Sequence, residues 1–254
     1  MSNDENRRQK QLAKKAAARK AKKQSSVVHD KKLSATEKQI VPQDFGNLIV
    51  TSYEVTFDPV ENEAFDRLPE AIKDELSNIH DIMMNRINRD SDGDKDISQV
   101  IERLLAIIQQ YSDVPSIYNY LYNSYKILGD TEHADRVLQE TIDKFPDYLF
   151  ARIAQADECM RRNEFEQVPI IFENKFDLSI LYPERKVFHI SEVMNFSGIM
   201  AQYFYSKGDI KRVELYYKIM KRLDPKRKYL LTQNIYELLF SRISILDKIR
   251  NIFK

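Results

Sequence analysis

The sequence predicts an all-α fold built from antiparallel helix pairs stacked side by side. Three observations carry that expectation. From Leu68 onward, apolar residues recur at threes and fours, the spacing of a helix with one buried face. A helix–turn–helix pattern with a Gly-Asp reversal occurs at Gly129-Asp130 and again at Gly208-Asp209, with a weaker copy between them. The 254 residues hold only five glycines, all far apart. A loop that cradles phosphate needs several glycines close together so that backbone N–H groups can approach the anion. Their dispersal counts against most nucleotide-dependent enzymes.

Residues 1–40 are polar and charged, and form the first expected region. Within them, Arg7, Arg8, Lys10, Lys14, Lys15, Arg19, Lys20, Lys22 and Lys23 place nine bases in seventeen residues with no acid among them. Ala, Lys, Arg and Gln favour helix but offer no face to bury, so a disordered or solvated helical arm is expected. Taking those nine from the forty bases leaves 31. Taking Asp4 and Glu5 from the thirty-nine acids leaves 37, so residues 24–254 carry a net charge of −6. A basic arm thus precedes a mildly acidic body, and weak, salt-sensitive contact between them is one expectation.

Residues 41–66 read as an extended segment. In "FGNLIVTSYEVTFD", Tyr53, Val55 and Phe57 alternate with Glu54 and Thr56, a strand-like pattern bounded by Gly46 and Pro59. No second strand is evident in the sequence, so the segment is expected to lie against a helical body.

Residues 67–254 read as helical throughout. Pro69 suits a first helical position, and Ile72, Leu76, Ile79, Met83 and Ile87 mark the buried face of the helix it opens. A second helix is expected from about Ile97, capped by Asp96, to Tyr111. The stretch "YNYLYNSYKILGDTEHADRVLQETIDKFP" (118–146) then places Tyr118, Leu121, Tyr122 and Tyr125 on one stripe. Gly129 supplies a left-handed turn, Asp130 caps the next helix, and small Ala134 lets that helix approach closely. Val137, Leu138 and Ile142 seal the pair, and Pro146 closes the unit. Residues 198–225 repeat the form through Met200, Ala201, Phe204, Val213, Tyr217, Met220 and Pro225. The weaker copy between them has Ala156, Cys159, Asn163-Glu164, Val168 and Phe172 in equivalent places. Pro169 should shorten or kink its second helix. An excess of eleven residues before the next unit is placed in "DLSILYPERKVF".

This pattern resembles the tetratricopeptide repeat, whose signature of an aromatic, Leu, small residue and aromatic, then Ala, a large residue and Pro, spans about 34 residues. The resemblance covers about residues 70–225 and implies an α-solenoid with a concave face lined by the first helix of each pair. On that face it places Asn119, Asn123, Lys126, Ile153, Asp157, Met160, Gln202 and Tyr205 as groove residues for a partner protein or peptide. Family members that grip chaperone C-termini use a clamp of Lys, Asn and Arg. Here Asn119 replaces the first clamp Lys, Asn123 matches, and Ala154, Asn195 and Ile199 break the remainder, which disfavours a cochaperone role.

Other candidate chemistry is weaker. In "NRDSDGDKDISQ", Asn88, Asp90, Asp92 and Asp96 fall at the ligand positions of a calcium loop. The closing position holds neutral Gln99 and the central apolar position holds Lys95, so a solvated helix–helix loop is expected. The four histidines and Cys159 show no metal-ligand spacing, and Cys159 lies on a packing stripe. No catalytic residue, metal or cofactor is expected, and the chain reads as non-enzymatic. The single cysteine excludes an internal disulfide and suits a reducing compartment. No apolar run approaches the roughly 20 residues of a membrane span. A soluble cytoplasmic protein is therefore expected, with no integral membrane segment. The apolar stripe of Leu231, Ile235, Leu238, Ile243, Leu246, Ile249 and Phe253 caps the stack, forms a homodimer seam through residues 229–253, or docks on a membrane surface.

Two functions follow as expectations. One is an adaptor that binds a partner in the groove. The alternative is a nucleic-acid- or ribosome-associated protein whose arm makes nonspecific phosphate contacts; that arm lacks the aromatics a single-strand reader would interleave.

Overall fold

The computed structural model describes residues 39–40, 53–57, 63–88, 94–226 and 230–239. The chain divides after Ile40. On the N-terminal side the described element is a two-residue strand, β1 (Gln39–Ile40). The nine bases of the arm lie outside the described residues.

The C-terminal side is mostly helical. It opens with β2 (Tyr53–Thr56) and a single turn, α1 (Glu63–Asp66). Four helix pairs follow: α2 (Glu70–Asn88) with α3 (Asp94–Gln110), and α4 (Pro115–Leu128) with α5 (Thr131–Lys144). Then come α6 (Leu149–Arg161) with α7 (Gln167–Ile171), and, after the turn α8 (Leu178–Leu181) and β3 (Val187–His189), α9 (Ile190–Ser206) with α10 (Ile210–Leu223). A last helical stretch covers residues 230–239.

Helices stack on their chain neighbours from α2 to α7, and α9 pairs with α10. First helices also touch across pairs, α2 against α4 and α6 against α9. One buried cluster runs from Leu68 through α2–α5 to Ala151, joining Ile79, Ile97, Leu104 and Tyr118. Each such fully buried side chain contributes about 1.5–3 kcal/mol.

The local chemistry of the turns matches their residues. Gly129 and Gly208 both sit at φ 75°, a left-handed conformation that costs glycine nothing. Asp130 and Asp209 each accept a backbone N–H, from His133 and Arg212, both at 3.1 Å. Tyr118 is fully buried with its ring edge-on to Phe145 at 5.5 Å. Its hydroxyl donates to the Ser112 carbonyl and accepts from Lys144 Nζ at 2.7 Å, so the polar tip of this core ring is satisfied. Ala134 is fully buried where α5 crosses α4. Pro169 lies inside α7, which runs only five residues.

Four details differ from the sequence reading. Helix α3 starts at Asp94, so Asp96 lies inside it rather than capping it. Pro69 precedes α2, its carbonyl accepting from Ile72 and Lys73. The buried face of residues 230–239 runs through Thr232, Ile235 and Leu239, with Leu238 only half-buried. Most important, the extended segment does have a strand partner. β2 pairs in parallel with β3, in the register Glu54 to Val187, Val55 to Phe188 and Thr56 to His189. The eleven-residue excess thus contains a strand that its three-residue length hid from pattern reading.

Candidate functional site

The expected groove residues fall on the first helices of three pairs: Asn119, Asn123 and Lys126 on α4, Ile153, Asp157 and Met160 on α6, and Gln202 and Tyr205 on α9. All but one are half-buried. Ile153 is the exception at 8 % exposure. It belongs to the packed interior rather than to an open face, because β-branched aliphatic surface gains more from burial than from water.

The amides are turned onto their own helices. Asn123 Nδ2 donates to the Asn119 carbonyl at 2.7 Å and lies 3.3 Å from Asn119 Oδ1. Gln202 Nε2 donates to the Gly198 carbonyl at 3.3 Å, and Asn195 Nδ2 to that of Ser191 at 2.7 Å. These back-bonds span one helical turn. Each fixes the amide nitrogen and leaves acceptor capacity on the amide oxygen.

The charged residues converge on one carboxylate that the sequence reading did not single out. Glu158 is 7 % exposed. Its Oε1 accepts from the Tyr122 hydroxyl at 3.0 Å and from Lys126 Nζ at 2.9 Å, and pairs with Arg161. Asp157 pairs with Arg161 at 3.4 Å, and Arg162 with Asp135 at 2.9 Å. Burial, followed by the Asp157 charge, pushes the Tyr122 hydroxyl up to about 12. Burial, then neighbouring Arg161, holds the Lys126 ammonium below its ordinary value. A glutamate one residue before the small packing residue Cys159 reads as solvated surface. Only the approach of α4 to α6 reveals it as a buried hub.

A shallow open hollow of about 380 Å³ lies between α9 and residues 230–239, lined by Gln202, Asn234, Ile235, Glu237 and Leu238. Residues 230–239 are held there at close quarters. A Cβ on Gly198 would stand 2.5 Å from Leu231 Cδ2, and Tyr236 meets Tyr217 at 5.9 Å between ring centroids. The remainder of the apolar stripe lies outside the described residues.

Other candidates find ordinary places. Cys159 is half-buried, and burial, then the Glu164 carboxylate, raise its thiol, which disfavours the thiolate. His189 caps α9 through Nδ1, which accepts from Ser191 N at 3.2 Å. Asp90 and Asp92 of the acidic loop lie outside the described residues. Among the described residues no group of three His, Cys, Asp or Glu side chains could hold a metal ion. No described helix is long and apolar enough to cross a membrane.

No protein-family model matches the chain, and no curated protein matches it.

Proposed function

We propose that the protein is a non-enzymatic adaptor, a tetratricopeptide-like α-solenoid that holds a partner protein or peptide against the first helices of its pairs. The observation that supports this most directly is the packing of first helix on first helix, α2 with α4 and α6 with α9. Side-by-side first helices are what a continuous docking face requires. Half-buried Asn119, Asn123, Asp157, Met160, Gln202 and Tyr205 give that face amide, apolar and aromatic groups suited to an extended peptide. Affinity chromatography on the full chain with mass spectrometry tests the reading. A discrete partner should be retained and then lost with an Asn123→Ala/Gln202→Ala variant of unchanged circular dichroism. Equal retention by both chains overturns it.

A second reading rests on the basic run of residues 7–23. Nine cations released from counterions on phosphate would give sequence-independent binding to RNA or DNA that weakens steeply with salt. Gel shifts of the chain with and without residues 1–26 separate the two readings. Loss of all nucleic-acid binding at about 0.15 M salt, where the screening length is physiological, removes the second.

A further inference from the structure

A strand pair joins the start of the helical body to its far part, and the two strands contribute unequally to it. The wall around β3 is pinned without help from β2. Phe188 is fully buried, with the Arg185 guanidinium 4.3 Å above its ring. Arg185 in turn makes a two-pronged pair with Glu192 at 3.0 and 2.7 Å. Glu192 accepts the His189 backbone N–H at 2.9 Å, closing a capping box on α9. On the α10 side, the Tyr216 hydroxyl donates to the Phe176 carbonyl at 2.5 Å. These bonds belong to residues 176–216 alone.

β2 adds little backbone to that wall and two anchors. Tyr53 and Val55 are 5 % and 4 % exposed, while Glu54 and Thr56 are half-buried and Phe57 is exposed. The Tyr53 ring stands edge-on to Phe188 at 5.1 Å, close enough to Tyr216 and Asp177 for their charges to act on its hydroxyl. Glu54 N–H donates to the Lys186 carbonyl at 2.8 Å. The main packing partners of β2 are β3 and α9. Alternate side chains in pockets and main-chain bonds along a short edge are how a folded receptor takes an extended peptide.

We propose that β3, with the start of α9 and the Tyr216 side of α10, is a preformed receptor for an extended peptide with an aromatic-x-β-branched pattern. Residues Tyr53–Thr56 are its tethered, exchangeable occupant. The site is distinct from the face proposed above and does not depend on it. Its ligand in trans is a strand of the same pattern from another polypeptide.

The test uses a fluorescein-labelled peptide, TSYEVTFD (residues 51–58), and fluorescence anisotropy on the full chain. A Tyr53→Ala/Val55→Ala chain vacates the anchors and binds the peptide. The unaltered chain binds it at least about tenfold more weakly, because the tethered copy competes at an effective concentration on the order of millimolar. A peptide with alanine at both anchor positions binds neither chain. Glu54→Pro, which removes one strand donor and leaves the pocket intact, also raises peptide binding over the unaltered chain. Absence of peptide binding by folded variants overturns the proposal, as does equal binding to all chains. Loss of helical circular dichroism in both variants also overturns it, since the strand would then be an integral part of the core.

Discussion

Glu158 decides how two neighbouring first helices meet. Its buried Oε1 serves Tyr122, Lys126 and Arg161 together. Glu158→Ala leaves a buried hydroxyl and a mostly covered ammonium without their acceptor, which costs about 1–3 kcal/mol. Glu158→Gln keeps an acceptor for Tyr122 and should lose less. Urea denaturation of both variants checks the order; an alanine variant as stable as the parent rejects the hub. Asp177 poses the opposite problem. Its carboxylate accepts Ser179 N at 2.9 Å, yet burial outweighs that bond and raises it above the ordinary 3.8. A folded acid with a raised value favours the folded state when protonated. Stability should therefore fall as pH rises from 3.8 through the folded value, and remain reduced at neutral pH. Asp177→Asn keeps an acceptor and removes the charge, so it should flatten that part of the stability–pH curve. Thermal melts from pH 3.5 to 7 that keep the same slope contradict this.

At the level of elements, turns set the helix pairs and small residues set their spacing. Gly129 sits at φ 75° with open space where a Cβ would go. Gly129→Ala therefore meets backbone strain and no clash, and should cost about 1 kcal/mol, the left-handed penalty for an L-residue. A measured loss several times larger would mean that the turn makes contacts beyond its own backbone. Asn163 takes the same role in the weaker copy at φ 61°, which asparagine tolerates better than most residues. The Gly-Asp turns and the Pro169 interruption were legible because each depends on the backbone chemistry of one or two residues. β3 was not legible, because a three-residue strand has too short an alternation to register. The start of α3 was misplaced since both Asp94 and Asp96 suit a helix beginning, and neighbouring packing chose between them.

At the level of the whole molecule, contacts are mostly between chain neighbours, with α6–α9 and β2–β3 reaching across the excess segment. Energy lost in one pair should then stay near it, as in a one-dimensional array. Val213 is fully buried in α10. Val213→Ala should speed amide exchange in α9 and α10 by more than tenfold over α2 and α3, the ratio for a local loss of about 1.4 kcal/mol. Hydrogen-exchange mass spectrometry reads this directly. A uniform acceleration would mean that the body unfolds as one unit.

Periodicity, turn residues and the scarcity of glycine by themselves determined a helical body of paired helices, since each is a property of a few residues in sequence. The candidate face was legible only as a set of positions. Tertiary structure alone decided that Ile153 turns inward, that Glu158 gathers three donors, and that Tyr53 and Val55 are held by Phe188. Those outcomes depend on which side chains meet across elements remote in the chain, and no local pattern encodes such a meeting.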